Sequence, residues 1–206
     1  KGVMSLADGS GSDASVEAGM LWHQLTCCHK DVGLEMQALN FVPVTGEKIE
    51  LMRITVKNIS GKSCRFIPTF CLPLFGRALS NKHDHEHVTS LLHRIEQLPN
   101  GVCVQPTMIF DERGHQPGGH IYFVLGVDDK GKRPLGTFPT VERFYGDGGN
   151  MEKPDAVWNN CAPENIPEDV LQGKEAVGAL RFEDAELAAG EHREYLIVTG
   201  IDKTRE

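Results

Sequence analysis

The sequence predicts an all-β fold, an antiparallel sandwich or barrel carrying one or two short helical turns, and three observations lead there. Short runs of apolar and β-branched residues recur along the chain, each bounded by turn-forming residues. No long stretch repeats its apolar residues at the three- and four-residue spacing of an amphipathic helix. No internal repeat and no biased linker divides the 206 residues. The chain therefore reads as a single β-sandwich domain over 19–206, behind a flexible lead-in or partial edge strand over 1–18.

The elements follow in order. Gly9 to Ser15 is dominated by Gly, Ser and Asp and lacks the apolar surface to order itself. Met20 to Thr26 is a short apolar strand. Leu34 to Val42 alternates as Leu34, Met36 and Ala38 and then shifts to Leu39 and Phe41, the pattern a bulge leaves in sequence. Ile49 to Lys57 shifts in the same way, and Asn58-Ile59-Ser60-Gly61 reads as the turn joining it to Ser63–Phe70 in a hairpin. A second hairpin joins Leu91–Leu98 to Val102–Phe110 across Pro99-Asn100-Gly101, where Asn-Gly is expected to supply positive φ angles. Pro106 is expected to hold part of that strand at an edge. His120 to Val127 is a strand between Gly118-Gly119 and Asp128-Asp129-Lys130-Gly131. Leu135 to Val170 is rich in glycine and proline, with helical turns at Thr140–Tyr145 and Pro167–Leu171. Val177–Phe182 and Glu194–Gly200 close the chain through Leu187-Ala188-Ala189-Gly190.

Charge and composition narrow the partners. A formal net charge of −8 opposes a phosphate-tracking surface, so nucleic acid and anionic membranes are not expected partners. The longest clean apolar run, Ile121 to Val127, is far below the roughly 20 residues of a membrane-spanning helix. Of the six cysteines, Cys27 and Cys28 are adjacent, Cys64, Cys71 and Cys103 fall in strand-like stretches, and no CxxC pair occurs. That usage predicts a reduced, cytoplasmic chain whose thiols serve as small apolar groups. The N-terminus lacks a signal-peptide pattern, and a start at Lys1 rather than methionine gives the expectation of a piece of something longer.

Several constellations could carry chemistry. In His83-Asp84-His85-Glu86-His87 an extended backbone would place three imidazoles on one face, a possible metal site. A cupin-like enzyme would add Pro117-Gly118-Gly119-His120, but the Glu expected after the first His pair is missing because Glu86 lies between His85 and His87. The plainer reading is a solvated polar loop. No Gly-x-Ser-x-Gly elbow occurs, and Gly146-Asp147-Gly148-Gly149-Asn150 reads as a tight turn. The adjacent acids Asp111-Glu112, Asp128-Asp129 and Glu183-Asp184 point to opposite faces of a strand. General acid–base work instead needs two carboxylates at a fixed separation. Trp22, Trp158, Phe144 and Tyr145 offer rings that either stack on sugars or pack in a core.

Further phrases resemble a known family. They are Gly19-Met20-Leu21-Trp22-His23, Asn40-Phe41-Val42-Pro43 with Glu50 to Asn58, and Arg181-Phe182 through Ala189-Gly190-Glu191 to Val198-Thr199-Gly200. Between them lie Pro73-Leu74-Phe75-Gly76-Arg77 and His87 to Ile95. In order and spacing, from about Gly19 to Gly200, they resemble the N-terminal β-sandwich of glycoside hydrolase family 94, formerly glycosyltransferase family 36. This family includes the inverting cellobiose and cellodextrin phosphorylases.

The resemblance implies a galactose-mutarotase-like supersandwich preceding a helical (α/α)6 barrel that holds the general acid and the phosphate-binding groups. For this chain it implies no catalytic residue, no cofactor, and inorganic phosphate as co-substrate of the full-length enzyme. The implied partners are an oligosaccharide or sugar phosphate, the C-terminal helical catalytic domain, and a second copy in a homodimer. It also implies a reading frame that runs on for several hundred largely helical residues past Glu206. If a loop reaches sugar, Arg77, His85 and Arg94 are the candidate hydrogen-bond donors, and Tyr145 and Trp158 the candidate stacking faces. Two other classes stay open: a metal-dependent β enzyme built on His83, His85 and His87, and a sandwich that mediates protein contacts.

Overall fold

The computed structural model describes residues 13–76, 90–111 and 114–203. Its large sheet runs in the order β1 (Asp13–Gly19), β2 (Trp22–His29), β3 (Leu34–Phe41), β4 (Ile49–Asn58), β14 (His192–Lys203), β10 (His120–Asp128), β8 (Gly101–Asp111), β7 (His93–Leu98). A ninth strand, β9 (Gly114–Pro117), pairs with the far end of β8. A second sheet of three strands is ordered β11 (Gly136–Thr140), β12 (Ala176–Arg181), β6 (Thr69–Leu74). A two-stranded ribbon joins β13 (Ala185–Leu187) to β5 (Cys64–Phe66). Every ladder is antiparallel. The short helices among the described elements include α1 (Val141–Tyr145), α2 (Asp155–Trp158) and α3 (Glu168–Leu171). Two of them fall where the sequence predicts helical turns, and α2 was not anticipated.

β12 explains the layering. All six of its residues are buried, and successive side chains of a strand point to opposite faces. Ala176 and Leu180 join Val102, Val104, Val124, Ile95 and Ile197 in the core between the two sheets. Val177 and Ala179 join Phe138, Phe144, Tyr145 and Ala156 in a second core beneath α1 and α2. The molecule thus has three layers: the large sheet, the small sheet and the helices. The sheets meet at Gly178 and Gly126, where an added Cβ would lie 2.6 Å from Val124 and from Leu180 respectively.

Two expected bulges are absent. β3 and β4 pair without a break from Leu34↔Asn58 to Phe41↔Leu51, and β4 and β14 from Ile49↔Gly200 to Lys57↔His192. The apparent slip in sequence arises because both faces of these strands carry apolar residues. Ala38, Ile54 and Val56 point to the core, while Leu39, Phe41, Ile49 and Leu51 lie half-buried on the outer face.

The predicted hairpin from Ile49–Lys57 into Ser63–Phe70 is also corrected. The turn is real, but the chain leaves the large sheet there, and β5 pairs with β13. Asn58, fully buried, fixes this corner. Its Nδ2 donates to the carbonyls of Lys62 (2.7 Å), Leu187 (3.0 Å) and Ala188 (3.1 Å), and its Oδ1 accepts from the Ser60 amide and hydroxyl.

The second predicted hairpin forms, with Leu98 opposite Gly101, for a different reason from the one expected. Neither Asn100 nor Gly101 has a positive φ. Glycine is required at 101 because a Cβ would sit 2.0 Å from the Val124 carbonyl oxygen. Pro106 lies just past Val104↔Tyr122, the last pair that β8 makes with β10, as its missing N–H requires.

The free edge of β7 is closed by side-chain amides. Gln172, which follows α3, accepts from the Ile95 amide (3.1 Å) and donates to the Ile95 carbonyl (3.2 Å). Gln97 donates to the Thr137 and Glu164 carbonyls and accepts from the Ile166 amide. An exposed row of unpaired backbone groups would otherwise invite strand addition.

Candidate functional site

At one end of the large sheet, apolar side chains stand in solvent. The β1–β2 turn consists of Met20 and Leu21, since Gly19 pairs with Trp22. Hairpin turns of this length favour Asn, Asp and Gly, yet Leu21 holds φ 63. A left-handed Leu costs about 1 kcal/mol or more, and the Val42 amide fixes it by donating to the Leu21 carbonyl at 3.0 Å. Met20 is 90% exposed, Leu21 53% and Trp22 40%, with Val42 and Val44 exposed beside them in the chain after β3. β14 leaves the sheet at this same end. Its Gly200 pairs with Ile49, two rows beyond Val198↔Leu51↔Phe41↔Trp22, and the Ile201 amide donates to the Lys48 carbonyl at 3.0 Å. Sequence reasoning treated Met20 as the start of a strand. The available signal was two large apolar residues in a tight turn.

Of the predicted sugar-contacting residues, Arg94, Tyr145 and Trp158 are described, and they lie on three different elements. Arg94 lies on edge strand β7, half-buried, and its Nη1 donates to the His93 carbonyl at 3.1 Å. Trp158 ends α2 in the helical layer, with the Lys153 ammonium 4.6 Å from its ring centroid. Tyr145 corrects an expectation: it is buried, its ring is 5.3 Å from that of Phe144, and its hydroxyl is 3.8 Å from Cys71 Sγ. That ring is part of the second core and presents no open face to a sugar. Burial, and then the neighbouring Cys71, push the Tyr145 hydroxyl well above the usual phenol range. Arg77, His83, His85 and His87 lie outside the described residues.

A small polar cavity of about 240 Å³ opens between Ser90, Thr140, Glu142 and the Gly173-Lys174-Glu175 stretch. Lys174 Nζ donates to Glu142 Oε2 at 2.7 Å and holds that carboxyl below its ordinary range. A carboxyl so paired stays ionised and is unsuited to protonating a glycosidic oxygen, which needs a raised pKa. Asp13 is likewise held down by Lys30. Among the described residues, no three His, Cys, Asp or Glu side chains gather as a metal-holding group, and no helix is long and apolar enough to cross a membrane. None of the six cysteines forms a disulfide. Burial pushes the Cys71 and Cys103 thiols up to about 11, which keeps them protonated and unreactive near neutral pH.

Comparison with known proteins supplies the remaining findings. A family model described as "Glycosyl hydrolase 94, supersandwich domain" matches residues 13–206. No curated protein matches the chain. Among solved structures, Polysaccharide Lyase BACCELL_00875 is similar with a TM-score of 0.48 and 7% identity, over 88% of this chain and 22% of that one. The chain therefore spans only 22% of the lyase's length. A protein of Escherichia coli K12 (b2544), assigned as an aldose 1-epimerase, is similar with a TM-score of 0.43 and 11% identity, over 94% of this chain and 69% of that one.

Proposed function

Because the chain belongs to the glycosyl hydrolase 94 supersandwich family, we propose that it is the non-catalytic module of a cellobiose/cellodextrin-phosphorylase-like enzyme. In this reading the full-length protein carries out inverting phosphorolysis of β-glucosides with inorganic phosphate as co-substrate, and the sandwich supports a helical catalytic domain. One observation carries the reading. The exposed side chains of Met20, Leu21, Trp22, Val42 and Val44 stand at the end of the sheet from which β14 departs. A chain continuing past β14 would be delivered beside an apolar surface whose burial is worth roughly 25 cal/mol per Å².

The same proposal places the enzyme in the cytoplasm, to which six cysteines without a disulfide lend support, and pairs it as a homodimer. The deciding experiment incubates the purified chain with β-linked gluco-oligosaccharides and phosphate and measures glucose 1-phosphate. No product is expected. Steady release by the chain alone would overturn the proposal.

A further inference from the structure

Trp158 is displayed on a rigid seat. It is the last residue of α2, whose Ala156 is sunk in the second core among Phe138, Phe144, Tyr145, Val177 and Ala179. Beyond it the chain is locked by the two bonds of a Schellman closure: the Asn160 amide donates to the Val157 carbonyl (3.2 Å) and the Cys161 amide to the Ala156 carbonyl (2.9 Å). Asn160 takes the left-handed position at φ 55, which asparagine tolerates better than most residues. Trp158 is 51% exposed, and Lys153 Nζ lies over its ring, 4.6 Å from the centroid. Asn159 and Asn160, both exposed, follow it directly in the chain.

An exposed Trp forgoes the burial this side chain usually has, and a fixed one loses little conformational entropy when something lies on it. The chemistry around it selects the ligand. An indole face suits the C–H face of a pyranose, while two carboxamides and an ammonium offer donors and acceptors for its hydroxyls. An apolar protein surface would leave those polar groups unpaired.

We propose that Trp158, with Lys153, Asn159 and Asn160, forms a surface site for a β-linked gluco-oligosaccharide, separate from the place of turnover. The ring stacks on one glucosyl unit, and the amides and the ammonium hydrogen-bond to its hydroxyls. The sugar class rests on the reading of the chain as a module of a carbohydrate-active enzyme.

The test titrates cello-oligosaccharides into the chain at millimolar concentration and follows tryptophan fluorescence and backbone amide shifts. Wild type, Trp158→Ala, Trp158→Phe and Trp22→Ala are compared, with thermal unfolding as a check on folding. The expected result is perturbation confined to residues 150–161. The affinity should be weakened by about tenfold or more in Trp158→Ala, less in Trp158→Phe, and not at all in Trp22→Ala. No perturbation, or binding unaffected in folded Trp158→Ala, overturns the site. Assaying glucose 1-phosphate in the same samples separates the two claims: absent binding with absent turnover removes only this site, whereas turnover removes the module reading.

Discussion

His93 shows what a single buried group does to this fold. It is fully buried, its Nε2 lies 3.0 Å from the Gly76 carbonyl oxygen, and its ring meets Phe75 edge-on at 5.9 Å. Burial lowers its pKa, against smaller upward pulls from the Gly76 and Lys174 carbonyls and the Glu175 charge. Below about 6.5 the unfolded chain therefore binds a proton at this residue that the folded chain resists. The His93 contribution to stability is whole above that pH and falls as pH drops beneath it, down to the depressed folded pKa. Thermal midpoints measured between pH 5 and 7 should fall with acidity more steeply in wild type than in His93→Gln; equal slopes would refute the assignment. Asn58 is a second such residue, because Asn58→Ala strands the buried Leu187 carbonyl and removes the bond to the partly buried Ala188 carbonyl at the corner of the sheet. A loss of about 3 kcal/mol in urea unfolding is expected, and a loss under about 0.5 kcal/mol would mean that water replaces the amide.

At the scale of elements, the sandwich depends on close approach between β12 and β10. Gly178→Ala would push a methyl to 2.6 Å from Val124 Cβ in the packed centre of both sheets. Destabilisation of about 1–3 kcal/mol is expected from chemical denaturation, whereas Gly190→Ala, in a turn with nothing within 4 Å, serves as its unpacked comparison. That comparison residue holds φ 82, so its cost is backbone strain alone. Individual strands were legible because alternation and turn residues are local. Thr140–Tyr145 was legible for the same reason: Thr140 Oγ1 accepts from the Arg143 amide and Gly146 closes the other end. Partners were less legible. Asn58-Ile59-Ser60-Gly61 announces a turn, but nothing near it in sequence says that β14, more than 130 residues on, takes the place beside β4.

For the whole molecule, the apolar end formed by Met20, Leu21 and Trp22 is expected to matter only in the presence of a neighbour. Met20→Ser with Trp22→Ser should leave the unfolding free energy of this chain within about 0.5 kcal/mol of wild type, as surface changes do. In the longer enzyme proposed above, the same pair should lower the cooperative unfolding temperature and expose the sandwich to proteolysis. Unchanged behaviour in the full-length protein would show that this end is not a docking surface. Of the candidate sugar-binding residues, the sequence supplied the residue types, and burial then separated Tyr145, closed into the core, from Trp158, held open to solvent. Composition and alternation alone determined an all-β chain with one or two short helical turns, because period and turn chemistry are written within a few residues of one another. Which strands lie side by side, which face of β3 and β4 is inside, and which aromatic ring is left in water were decided only by the tertiary structure. Each of those depends on residues far apart in the chain meeting across a packed interface, where only one arrangement fills the space.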